Sequence, residues 1–412
     1  MAKPLDVNKC ETLVEASKNV IFHGAPGTGK TYLAKQIAAK IVSNDCCDQY
    51  DELENLQNQV GFIQFYPGYD YSNFVEGYKP STENGDMKFL LTPGIFKEFV
   101  SNARKKLEEY KTFLKKVSSD KRQAVIERLM QCVESNYPFW TYHTNPSTGQ
   151  NNKFHIDGLD LEVKDPIIKA ASKSVKGGEV PLKLSKLLEG PGDLKNNFGT
   201  NEEKNTSNSP SYYRPIWDFL FNPPKFVFII DEINRGNTSS IFGELFYAID
   251  PNNRGEKGEV TLQYSSQYSR DKFYIPENVR LIGTMNDIDR SVEPFDFAFR
   301  RRWTSKLIEP TETQDGILST FNDDLKLKEE IENRMNNLND EICHTDGLGD
   351  DYQIGAAYFL KLKALGNDFN ELWEDSLEPL LKEYVYGMDN AVDLLGGFEK
   401  AYKTRSRIKW FV

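Results

Sequence analysis

The sequence has few residues suited to sulfur or imidazole chemistry: five cysteines and four histidines in 412 residues. Cys10, Cys46, Cys47, Cys132 and Cys343 are odd in number and scattered, with no CxxC spacing and no neighbouring histidine ladder. That excludes a disulfide framework and a zinc finger or ribbon, and the expected state is a reduced, cytoplasmic protein. No run reaches the roughly 20 apolar residues that span a bilayer, and the start MAKPLDVNKCETL has no apolar signal core, so no membrane is expected as a partner. A basic tail is missing as well. The formal net charge is −11, so any contact with nucleic acid has to come from local patches. There is no internal repeat, and no P-D…E-x-K cluster of the kind that cuts DNA.

The length suits two or three domains, each with its own core. ETLVEASK spaces its apolar residues as a helix and leads into NVIFHG, a short apolar run closed by glycine that reads as a buried strand. TYLAKQIAAKIV then sets Leu33, Ala34, Ile37, Ala38 and Ile41 on one helical face. Strand, glycine turn and helix open a parallel α/β sheet. QVGFIQFY, KFVFIIDE and VRLIGTM supply three more strands, the last two apolar throughout and therefore central. TPGIFKEFV starts a helix, SSIFGELFYAID is helical, and VTLQYSSQYSRDKFYIP has the pattern of a hairpin.

Between the second and third strands the chain runs far beyond the roughly 2 to 6 residues that usually connect α/β elements, so an inserted α+β module is expected. It opens with the charged helical stretch ARKKLEEYKTFLKKVSSDKRQAVIERLMQCV, followed by the alternating FWTYHTNPSTGQNNKFHIDGLDLEV and the polar loop FGTNEEKNTSNSPS. After Pro310 the chain becomes helical and charged, with FNELWEDSLEPLLKEYV as its clearest amphipathic segment. The expected parts are residues 1–100 and 215–310 as two pieces of one α/β domain, 101–214 as the insertion, and 311–412 as a helical lid.

Gly24, Gly27, Gly29, Lys30 and Thr31 match G-x-x-x-x-G-K-[ST] in full, and the loop Gly24, Ala25, Pro26, Gly27, Thr28, Gly29, Lys30, Thr31, Tyr32 is the expected nucleotide cradle. Its glycines let backbone N–H groups curl around the β-phosphate at a helix N-terminus. Lys30 reaches the β and γ oxygens and the Thr31 hydroxyl holds Mg²⁺. Such a loop needs acids at the end of a neighbouring strand, and FVFIIDE supplies them: Asp231 to hold Mg²⁺ through water, Glu232 to orient and deprotonate the attacking water. Asn286, at the end of the next strand, is either a turn residue or an amide set between phosphates and water. Arg300, Arg301 and Arg302 in PFDFAFRRRW are a solvated face, a nucleic-acid patch, or arginines that reach a neighbour's γ-phosphate.

The ordered set GAPGTGKT, FYPGYDYSNFVEG, TPGIF, FIIDEINRGN, IFGELFYAID, YIPENVRLIGTMNDIDRS and FDFAFRRRW resembles the McrB family of AAA+ NTPases, the motor subunits of modification-dependent restriction systems. GTMNDIDRS, close to that family's M-N-x-x-D-R signature, is its most specific element. The resemblance implies a P-loop AAA+ fold with Walker A at Gly24 to Thr31, Walker B at Asp231 and Glu232, sensor 1 at Asn286, and trans-acting arginines at Arg301 or Arg302. Asn234 and Arg235 fall where the family places residues near the nucleotide and the subunit boundary, although a role in the turn is equally open. It further implies a homo-oligomeric, hexameric ring that couples hydrolysis of GTP, or alternatively ATP, to DNA translocation, with cleavage by a separate McrC-like nuclease subunit.

Two departures stand out. The family's I-G-H-x-Y-F reads here Ile354, Gly355, Ala356, Ala357, Tyr358, Phe359, so a histidine contact from the lid is missing. The modification-reading domain that precedes the motor in many relatives is not expected before the first strand. Trp140, Tyr142, His143, Phe154 and His155, with Lys173, Lys176, Lys183 and Lys186, make the insertion either a DNA-reading surface or a small sheet with an aromatic core. The same phosphate machinery would equally serve an ATPase that remodels protein complexes without nucleic acid.

Overall fold

The computed structural model describes residues 4–83, 86–144, 151–171, 179–189, 210–264, 272–288 and 295–407, without the side chains of residues 141–144. A first helix, Val7–Ser17, leads to β1 (Asn19–Gly24), the helix Lys30–Val42 and β2 (Val60–Gln64). A hairpin of β3 (Glu76–Glu83) and β4 (Asp86–Pro93) comes next, and then the helices Ile95–Ser119 and Lys121–Ser135. β5 (Phe139–Thr144), β6 (Asn151–Asp160), β7 (Ile167–Ala171) and β8 (Glu179–Lys183) form a separate antiparallel sheet in that order. The chain then returns through the helix Pro210–Phe221 to β9 (Phe226–Asp231), β10 (Val279–Asn286) and β11 (Thr304–Leu307).

The main sheet is parallel throughout, ordered β11-β1-β10-β9-β2. Alternation along each strand decides which face a residue serves. Phe226, Phe228 and Ile230 of β9 join one core with Phe74, Phe96, Phe99 and Phe242. Val227 and Ile229 of the same strand join the other, with Leu33, Ala34, Ile37, Ala38 and Ile41 of the helix after the glycine turn. Both faces are therefore covered, as the unbroken apolar runs require. β11 is not foreshadowed by an apolar run: its burial alternates between half-buried and exposed at the sheet's edge, and a short edge strand of this kind carries little sequence signal.

The insertion is joined to the sheet by a shared helix. Phe96, Phe99, Val100 and Ala103 of the helix Ile95–Ser119 belong to the sheet's core, while Tyr110 and Phe113 belong to the core of the antiparallel module. Position 101 thus lies inside a helix that is half in each body. Trp140 and Phe154 are 3% and 0% exposed, so their rings serve as core and offer no stacking platform. The His155 Nδ1 lies 3.2 Å from the carbonyls of Asn136 and Tyr137. Lys183 is exposed and Lys186 half-buried, whereas Lys173, Lys176, most of FGTNEEKNTSNSPS and the side chains of Tyr142 and His143 lie outside the described residues. The stretch VTLQYSSQYSRDKFYIP closes with one antiparallel bridge, Val260 to Phe273, its middle also lying outside them.

From Pro310 onward the chain is helical, with the helix Leu325–His344 packed on Ala391–Lys403 around Met335, Leu338, Trp373, Phe398 and Tyr402. This lid closes over the glycine turn at the end of β1. Among the described residues no helix is long and apolar enough to cross a membrane.

Candidate nucleotide site

β1 ends in the turn that starts the helix Lys30–Val42. Gly27 and Gly29 have φ of +76° and +77°, a left-handed conformation that disfavours a side chain and turns successive N–H groups toward one centre. Lys30 is 6% exposed, and its Nζ donates to the carbonyls of Ala25 at 2.7 Å and Gly24 at 3.1 Å. Burial pulls its pKa down to about 8, against the opposing pull of Glu232, Asp287 and Asp231. The cation is folded back on its own loop, so a phosphate has to replace those two carbonyls as its partner.

Asp231 closes β9 beside it. Thr31 Oγ1 and Thr284 Oγ1 both donate to Asp231 Oδ1, at 2.7 and 2.6 Å. Glu232 follows with φ 51° and ψ 46°, a conformation that costs a non-glycine residue about 1 kcal/mol or more. The surroundings hold it there: its N–H donates to Thr284 Oγ1 at 3.2 Å, Asn286 Nδ2 donates to its Oε1 at 2.6 Å, and Arg235 Nε lies 3.6 Å from its Oε2. Asn234 Nδ2 donates to the Asn286 carbonyl at 3.2 Å. His23 Nδ1 and Asp287 Oδ2, 2.9 Å apart, tie the end of β1 to the end of β10.

The Thr31 hydroxyl and Asp231 carboxylate are hard oxygen donors already in contact, a donor set that fits Mg²⁺, which takes one or two protein ligands and completes its shell with phosphate oxygens and water. Among the described residues no group of three or more His, Cys, Asp or Glu is placed to hold a metal by itself.

The lid meets the glycine turn through main chain. Gly355 N donates to the Pro26 carbonyl at 2.9 Å and Ala357 N to that of Gly27 at 3.0 Å. A Cβ on Gly27 would stand 2.6 Å from the Tyr358 ring, and one on Gly355 would stand 2.1 Å from the Gly27 carbonyl carbon. Beside this contact a cavity of about 640 Å³ is lined by Leu5, Thr28, Gln36, Ile317, Ala357 and Leu360, a size suited to a small-molecule ligand. Tyr32, at its mouth, is 62% exposed.

The arginines part company. Arg302 is buried: its guanidinium donates to the Ala298 carbonyl, lies 4.0 Å from Asp250 and stacks over Phe246 at 5.7 Å. Arg301, one residue earlier, is exposed.

Residues 330–393 match the α-helical lid domain of McrB, and residues 192–303 match the AAA domain of the dynein-related subfamily. The chain is McrB-like. It is 25% identical over 378 residues to the Type IV methyl-directed restriction enzyme EcoKMcrB subunit of Escherichia coli (strain K12), covering 90% of this chain and 54% of that protein. The chain therefore spans about half the length of that relative. It is also 24% identical over 402 residues to the Type II restriction enzyme BsuMI component YdiS of Bacillus subtilis (strain 168), covering 94% of this chain and 84% of that one.

The AAA match holds Asp231, Glu232, Asn286 and the arginines of this McrB-like chain, while the glycine turn lies outside both matches and rests on its motif and geometry. Of the nucleotide cradle and its acids, Lys30, Thr31, Asp231, Glu232 and Asn286 come together at one end of the sheet. Thr284, His23 and Asp287 were not picked out in the sequence. Thr284 and Asp287 had a signal, since they flank Asn286 in GTMND, but a hydroxyl facing an acid on another strand becomes visible only with the register of β10 on β9.

Proposed function

We propose that this McrB-like chain hydrolyses a nucleoside triphosphate at the Gly24–Tyr32 loop and uses the energy to move DNA in a restriction system. The observation that carries the reading is the hydrogen-bonded chain Thr31–Asp231–Thr284 beside Asn286–Glu232. One arm offers oxygens for Mg²⁺ and the other a carboxylate held by an amide. When bound, Mg²⁺ neutralises charge on the β and γ oxygens. Lys30 exchanges its loop carbonyls for those oxygens, the loop amides hold the β-phosphate, and Glu232 accepts a proton from the attacking water while Asn286 fixes the carboxylate. GTP is the favoured substrate by family resemblance, with ATP the alternative.

In this reading the chain assembles into a ring, probed as a hexamer, in which Arg301 of one subunit faces the γ-phosphate held by the next. The relatives' names, a subunit and a component of restriction enzymes, support a separate nuclease chain as partner. The test measures phosphate release from GTP and from ATP with Mg²⁺, alone, with DNA, and with the co-encoded nuclease subunit. Stimulation by DNA or the nuclease supports the reading. Turnover stimulated only by a protein client overturns it in favour of a remodelling ATPase.

A further inference from the structure

Asn19, the first residue of β1, is fully buried and joins three segments of the sheet domain. Its Nδ2 donates both hydrogens, to the Ile249 carbonyl at 2.7 Å and the Arg302 carbonyl at 2.9 Å. Its Oδ1 accepts from the guanidinium of Arg254, itself 1% exposed. An amide used on three sides in a dry environment is costly to replace, because each abandoned carbonyl or guanidinium is left unpaired. The Arg302 side chain repeats the same anchoring from its other end, through the Ala298 carbonyl, Asp250 and Phe246. The turn is thus fastened at the main chain and side chain of Arg302, and Arg301 leaves it into solvent.

Resting on the shared-site reading above, we propose that Asn19 and Arg302 are positioning residues that brace Arg301, and that Arg301 is the arginine delivered to the neighbouring subunit. Arg302 cannot fill that role without giving up its buried partners. Arg301 has no such tie among the described residues. The brace also sits at the start of the strand whose last residue, Gly24, opens the nucleotide loop. One rigid five-step strand therefore links the site a subunit owns to the arginine it lends.

The experiment is a mixing assay on the full chain with its nuclease subunit. Arg301→Ala, Asn19→Asp and Glu232→Gln are each assayed alone and in equal mixtures. Asn19→Asp keeps the shape and the partner of Arg254 while losing both N–H donors. Arg302→Lys, which keeps the charge but loses the planar contacts, is a second variant should Asn19→Asp unfold. Nucleotide binding by each variant is measured beside turnover and should stay within about threefold of wild type, since neither residue touches the cradle.

Alone, each variant should lose most turnover, by about 10- to 100-fold for Asn19→Asp and by up to about 10³ or more for Arg301→Ala. In random head-to-tail mixtures with Glu232→Gln, about a quarter of boundaries pair an intact acid with an intact arginine. Recovery of about a quarter of wild-type turnover by both mixtures is the expected result. If Arg301→Ala recovers and Asn19→Asp and Arg302→Lys do not, the brace acts in its own subunit and the inference fails while the shared site stands. If Arg301→Ala also stays silent, the shared-site reading itself fails. If Arg300→Ala complements and Arg301→Ala keeps full turnover alone, the assignment of Arg301 is overturned.

Discussion

Asn286 donates a 2.6 Å hydrogen bond to Glu232 across the ends of two neighbouring strands. The contact gives the sensor position a concrete task, because the carboxylate that must take a proton from water is oriented by an amide that does not compete for that proton. Asn286→Ala should therefore lower kcat by about 10² with nucleotide affinity nearly unchanged. Steady-state turnover and a fluorescent-nucleotide titration separate the two, and a loss confined to affinity counts against the assigned role.

Glu232→Gln should abolish turnover while retaining nucleotide binding. The amide keeps the size and the Asn286 neighbour but cannot accept the proton from water. Phosphate release equal to wild type in that variant would mean the base lies elsewhere.

Gly27 and Gly355 interlock so closely that neither tolerates a Cβ. Gly355→Ala should push the lid away from the glycine turn and break the bonds from Gly355 and Ala357 to Pro26 and Gly27. An overpacked contact of this kind costs about 1 to 3 kcal/mol, and nucleotide affinity should fall at least about tenfold. Isothermal titration of the variant checks it, with an unchanged Kd showing that the lid contact has no share in binding.

Trp140 lies in the core formed between the sheet and the insertion, together with Cys46, Cys47, Leu53 and Leu56. Trp140→Ala should cost about 3 to 5 kcal/mol in denaturant unfolding. DNA affinity, compared at two salt concentrations, should follow the folded fraction, since a buried ring has no base to stack on.

Glu11 and Asp45 share the ammonium of Lys40, at 3.3 and 2.7 Å. Burial, and then the neighbouring Asp45, push Glu11 from 4.5 up to about 7. The folded protein thus holds a proton there that the unfolded chain has released, so this group's contribution is fully present below about pH 4.5 and is lost as pH rises toward 7. Glu11→Gln should flatten that part of the profile and raise the melting temperature at pH 8 relative to wild type. Parallel melting curves between pH 5 and 8 for the two proteins would refute the assignment.

Four of the five sheet strands, the helix after the glycine turn, and the residues Lys30, Thr31, Asp231, Glu232 and Asn286 were legible in the sequence. Buried parallel strands are unbroken apolar runs, and a phosphate loop needs glycine, lysine and threonine at fixed spacing. β11 was not legible, because four half-exposed residues at a sheet edge carry neither signal. The aromatic stretch around Trp140 could be read as a surface or as a core, since a hairpin's residue types do not say which face is covered.

What the sequence determined by itself is therefore the chemistry: a nucleotide loop, two acids, an amide and a set of arginines, each required by type. What only the tertiary structure decided is how these are shared out. Register places Thr284 on Asp231 and Asn286 on Glu232, and burial turns Arg302 inward on Asn19's anchor while leaving Arg301 outside. Adjacent arginines are equivalent in a sequence. They become different once one of them has a carbonyl, a carboxylate and a ring to hold it inside.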